Sequence, residues 1–128
     1  MAFVDTINSL KKKMLQNSLE RSITVTPSNN TFTINPNKAA LFLVNVSANS
    51  TIAVSTLNSD YASTGSVFSI LLTLGSDSYT VSWPININWA DGEAPDLSYK
   101  NLITFTKFDS SSDWCAGSIV VDDTFPSA

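Results

Sequence analysis

The chain has 128 residues, of which 43% are hydrophobic and only 14% charged, and its net charge is −4. Such a length suits a single domain with a real core, and the apolar content is too high for a disordered chain. A single cysteine, Cys115, rules out an intrachain disulfide. The absence of histidine rules out the usual zinc sites and the histidine-based nucleophile triads.

Short polar side chains take the place of charge: 20 Ser, 13 Thr and 12 Asn. They suit β-structure whose turns are bonded locally. The charge is unevenly spread. Residues 1–21 carry four cations against two carboxylates (+2), and residues 22–128 carry three against nine (−6). An acidic body argues against binding nucleic acid. The Lys11-Lys12-Lys13 run reads as the solvated side of a helix. No run approaches the ~20 apolar residues that a membrane span needs, and the N-terminus lacks the apolar core of a signal peptide.

Residues 1–21 form the first expected unit, with the only helical period in the chain. Phe3, Ile7, Leu10 and Met14 recur at spacings of four, three and four, with Val4 beside them. A helix this short is marginal alone and must bury its stripe. Three outlets are open: its own domain, self-association about a symmetry axis, or a partner's groove. A helix ahead of an all-β chain is a common anchor, which favours the last two.

From residue 22 the period becomes two, and residues 22–128 form the second unit. Ile23 and Val25, a Pro27–Asn30 turn, then Phe32 and Ile34 read as a β-hairpin. Residues 39–47 begin as a continuous apolar run and read as a central strand, followed by a strand at 51–57. Residues 58–66 form an exposed loop bearing Tyr61. Residues 67–74 are apolar enough for a buried strand, and Gly75–Ser78 reads as a hairpin into Y-T-V-S-W at 79–83.

Trp83 and Trp89 flank Pro84, which bars a continued central ladder. The two pieces around it alternate separately, as expected of a strand turning a sandwich corner. A turn at 90–93, an extended piece from Ala94-Pro95, a strand at 102–108, a turn at 109–113 and a last strand from Trp114 complete the chain. The expected fold is all-β: about eight strands in an antiparallel, jelly-roll-like sandwich, preceded by one amphipathic helix.

The stretch 79–117 resembles a pattern found near the C-termini of tail-fibre and other virion proteins of tailed bacteriophages, W-P…W…A-P-x-L…W-x-x-G. Here it is carried by Trp83, Pro84, Trp89, Ala94, Pro95, Leu97, Trp114 and Gly117, with Thr80, Val81, Gly92, Phe105 and Asp109 in step. Cys115 stands where the pattern commonly has an aromatic residue, and Ser110–Ser112 replace a glycine-rich turn. The resemblance implies a β-sandwich module of a virion, commonly trimeric and assembled in the host cytoplasm. Its partners would be copies of itself and other virion proteins, and its place a capsid decoration, head fibre or small tail component.

The chemistry-bearing residues point away from catalysis. Asp91/Glu93, Asp109/Asp113 and Asp122/Asp123 all lie in turns or tails, where solvated carboxylates are the better reading than a glycosidase pair. Asp109–Asp113 has the spacing that opens some calcium loops but lacks the glycine and distal glutamate. No enzyme activity, cofactor or metal is expected. Trp83 and Trp89 each lie on the apolar side of an alternating segment, and the tryptophans read as core or subunit interface. The alternative function is host-glycan adhesion through Tyr61, Asp91, Asp96 and the 110–113 turn.

Overall fold

A computed structural model describes residues 22–56, 66–108 and 113–126. The expected helix over 1–21 and Tyr61 lie outside these residues. The described residues form nine strands: β1 (Ser22–Thr24), β2 (Thr31–Ile34), β3 (Leu41–Val46), β4 (Ser50–Val54), β5 (Ser66–Leu74), β6 (Val81–Ser82), β7 (Ile87–Trp89), β8 (Lys100–Lys107) and β9 (Trp114–Asp122). They make a six-stranded sheet, ordered β1-β3-β5-β8-β9-β7, and a three-stranded sheet, ordered β2-β4-β6. The all-β expectation therefore holds for this part of the chain.

The antiparallel expectation does not. β1–β3, β2–β4, β3–β5, β4–β6 and β7–β9 pair parallel, and only β5–β8 and β8–β9 pair antiparallel. From β1 to β6 the chain alternates between the sheets, as three turns of a flattened coil. Strands next to each other in sequence face one another across the interior. Both expected hairpins are corrected on this ground. β1 and β2 belong to different sheets, as do β5 and β6. Alternating side chains show which face of a strand is buried. They do not show whether the next strand lies beside it or opposite it.

The turn chemistry of the first expected hairpin is present on a smaller scale. Asn29 and Asn30 have φ of 51° and 59°, and Ser28 and Thr31 exchange backbone hydrogen bonds of 3.0 Å. That is a two-residue turn of the primed kind, for which asparagine is suited. Only this one bridge forms before β2 joins β4.

The core lies between the sheets. Phe32, Ile34 and Ile52 from the small sheet meet Phe42, Val44, Phe68, Ile70, Leu72, Ile103 and Phe105 from the large one. β5 and β8, the two central strands, supply Phe68, Ile70, Leu72, Leu74, Ile103 and Phe105, in keeping with the apolar run at 67–74. Where β5 ends, the Gly75 N–H donates to the Val46 carbonyl at 2.9 Å. A Cβ on residue 75 would lie 2.9 Å from that same oxygen. Gly75→Ala must push backbone apart, so it should cost about 1–3 kcal/mol, read as a lower urea midpoint.

Candidate functional site

The tryptophan stretch crosses between the sheets. β6 ends in the small sheet at Ser82 and β7 begins in the large one at Ile87, so Trp83–Asn86 form the corner that the proline break implied. Ile87 and Trp89 are half-buried while Asn88 between them is exposed. Pro84 is half-buried at the corner, and Ile85 beside it is fully exposed.

The three tryptophans converge from two directions on a pair of phenylalanines. Phe68 on β5 and Phe105 on β8 are register partners, and their rings stack at 4.7 Å with planes 8° apart. Trp83 and Trp89 meet edge to face at 5.3 Å, each 6.1 Å from Phe105. Trp114 packs edge-on to Phe68 at 4.9 Å, with the Lys107 ammonium 5.6 Å over its ring. Trp114 is buried; Trp83 and Trp89 are half-buried and pack against the core. Phe105 belongs to the sequence pattern, but nothing in the pattern marks it as the hub.

The other expected positions gather around the 90–98 segment. Gly92, with φ of 83°, turns the chain there, and its N–H donates to the Trp89 carbonyl. Asp91, Glu93 and Asp96 line an open cleft of about 380 Å³ together with Trp89, Pro95 and Val120. Pro95 and Asp96 also line a second cleft of about 340 Å³ on the side of Tyr79 and Trp83. The structure thus brings Asp91 and Asp96 together, and all three carboxylates are exposed. Asp122 and Asp123 stand apart at the end of β9, where Thr124 donates its N–H to Asp122 and its hydroxyl to Asp123. Among the described residues no group of three or more His, Cys, Asp or Glu is placed to hold a metal ion.

One residue that sequence reasoning missed holds this segment in place. Asn101 is fully buried on the core face of β8, in line with Ile103 and Phe105. Its Oδ1 accepts the Ser98 N–H at 2.9 Å, and its Nδ2 donates to the Ser98 carbonyl at 2.8 Å and to the Leu72 carbonyl at 3.4 Å. One amide thereby satisfies both backbone groups of Ser98 at the point where the cleft segment enters β8. The only signal was an asparagine at an inward position of an alternating strand.

Cys115 is half-buried on the face of β9 opposite Trp114, as strand alternation requires. It pairs in register with Asn88 and Thr106.

Comparison with protein-family models, with curated protein sequences and with solved structures found no match.

Proposed function

We propose that this protein is a non-enzymatic structural component of a tailed-bacteriophage particle, assembled as a homo-oligomer, most simply a trimer. Its place would be a capsid decoration, head fibre or small tail component, in contact with other virion proteins. The observation that carries the reading is the convergence of Trp83, Trp89 and Trp114 on the Phe68–Phe105 pair. Residues far apart in the virion-like pattern meet in one packed unit, so the pattern acts as an architectural device. A module of this kind works by shape and attachment, and it needs no reacting group.

A second reading, adhesion to a host glycan, draws on the cleft that joins Asp91, Asp96 and the half-buried Trp89. An aromatic face beside hydrogen-bond acceptors suits a sugar ring.

One set of measurements separates the readings. On the structural reading, the chain co-purifies with density-gradient particles from infected cells, and it stays with them through salt washes. Light scattering of the free protein then reads three times the 13.8 kDa chain mass. Absence from washed particles would sink the structural role, and a monomer at micromolar concentration would sink the trimer. Binding of host polysaccharide, lost in Asp96→Ala or Tyr61→Ala while particles still assemble, would instead establish the adhesin.

A further inference from the structure

The core face of β9 outlasts its cover. Trp114 and Ala116 point into the sandwich and are buried. Ser118 and Val120 continue the same face, since they are register partners of the buried Ile103 and Asn101. Both are nevertheless exposed, Val120 at 50%. β9 is also open along its edge. β7 pairs with Trp114–Ala116 only, the Ala90 N–H adds one bond to the Ala116 carbonyl, and Gly92 then turns the chain away. Among the described residues no backbone group bonds to 118–122 on that side, while β8 holds the other. Such an edge is a template for another strand. Residues 118–122 contain no lysine or proline to block it, and the ladder with β8 is regular up to Val120.

Floor, edge and wall make one groove. Ala116, Ser118 and Val120 form its floor, and the segment that carries Asp91, Glu93 and Asp96 forms its wall, with no lysine or arginine among the lining residues. The carboxylates are not grouped closely enough to hold a metal ion, so they suit cations carried at intervals. Charge also decides against a second copy. Two copies meeting antiparallel about Val120 would set Asp122 of each beside Ser118 of the other, at the carboxylate wall. That adds charge of the wrong sign. A sugar ring cannot continue a backbone ladder.

We propose that the free edge of β9 at 118–122 takes an extended segment of another protein, one that carries lysine or arginine at alternate positions. The segment adds as a strand where β7 leaves off. Its alternate side chains lie over Ser118 and Val120, on the side of Asp91, Glu93 and Asp96. Backbone bonds to β9 hold the segment, and the wall selects its charge. This inference is independent of the virion reading, since it rests on the edge and the groove alone.

The probe is a capped eight-residue peptide of alternating threonine and lysine, titrated into the isotope-enriched full chain. Amide shifts should change at 117–122 and 89–96, and hydrogen exchange in β9 should slow. Two further peptides carry N-methyl groups on the threonines or on the lysines, which removes one row of backbone donors and leaves the charge. One should bind at least about tenfold more weakly than the other, because only one row faces β9. Val120→Lys puts a charge of the peptide's sign on the groove floor and should weaken binding about tenfold. Ile119→Lys adds the same charge on the outer face, beside Leu102, and should leave binding largely intact. Equal binding of both methylated peptides, or by both lysine variants, would reduce the effect to surface charge. Outward amides of 118–122 already protected in the free chain would show the edge covered by the chain itself or by a second copy. Host polysaccharide moving the same amides, with no response to the peptide at millimolar concentration, would give the groove to a glycan. Any of these results, or no response to either probe, overturns the proposal.

Discussion

Phe105→Ala is expected to lower the unfolding free energy by about 3–5 kcal/mol, the range for removing a buried phenylalanine from a packed core. Phe105 has no solvent exposure, stacks on Phe68 and carries Trp83 and Trp89 against its ring. Its removal opens a cavity whose walls come from both central strands and from the corner between the sheets. These walls are held by the β-ladders and can collapse only in part. The corner should loosen with the core, so tryptophan emission should shift to longer wavelength in the folded variant. Phe105→Leu, which keeps most of the volume, should cost markedly less. The measurement is urea unfolding followed by both far-ultraviolet circular dichroism and fluorescence. A loss below about 1 kcal/mol for the alanine variant would remove Phe105 from the centre of the structure.

Asn101→Asp should be as damaging near neutral pH, and its cost should depend on pH. The native amide donates to the Ser98 and Leu72 carbonyls from a fully buried position. A carboxylate there loses both donors and faces two carbonyl oxygens without a compensating cation. An uncompensated buried charge costs about 3–5 kcal/mol. Burial and the carbonyls both favour the protonated form, so the pKa of the introduced acid rises in the folded state above its unfolded value of about 3.9. Between those two values the unfolded state binds fewer protons than the folded one, and stability falls as pH rises. The variant should therefore melt higher at pH 4 than at pH 7, relative to the parent protein at each pH. If it does not fold at neutral pH, Asn101→Ala provides the second reading. That variant leaves the Ser98 N–H and carbonyl without their partner and should cost about 1–3 kcal/mol, with no comparable pH dependence. Equal losses for the aspartate variant at both pH values would show that residue 101 is not held away from water.

The structural motif and the clefts also differ in what they contribute. The tryptophan unit is aromatic and packs on the core, with Trp114 buried and Trp83 and Trp89 half-buried. The clefts lined by Pro95 and Asp96 are open and mix carboxylates with aromatic and aliphatic side chains, and the segment between them is held at its exit by Asn101. A substitution at Asn101 should therefore disturb the cleft segment before it disturbs the corner.

The extent of what the sequence conveyed is clear from particular elements. Period-two alternation in 31–34 marked Phe32 and Ile34 as facing inward, and the structure buries both. In 41–46 and 100–107 apolar residues fall on both faces, and the structure separates the buried Phe42, Val44, Ile103 and Phe105 from the half-buried Leu43 and Leu102. The break at Pro84 marked the corner, because proline cannot serve a central ladder and the alternation restarts beyond it. Both are local properties of the chain, set by backbone sterics and by which side of a strand repels water.

Neighbour relations are not local, and here only the tertiary structure decided. The strands at 22–24 and 31–34 look alike whether they pair side by side or face each other across a core, and the same holds for 66–74 and 81–82. Parallel pairing of β1, β3 and β5 arises because each intervening strand is spent on the other sheet. The gathering of Asp91 and Asp96 with Val120 depends on β9 lying between β8 and β7, which no spacing in the chain announces. Asn101 belongs to the same class: its value lies in backbone groups of Ser98 and Leu72 that fold into its reach. What the sequence determined alone is the inward face of a plainly alternating strand such as 31–34 and the corner at Pro84, since both follow from local backbone and side-chain period. Which surfaces those faces meet was decided by strand order, because burial rewards any apolar neighbour and pairing selects one.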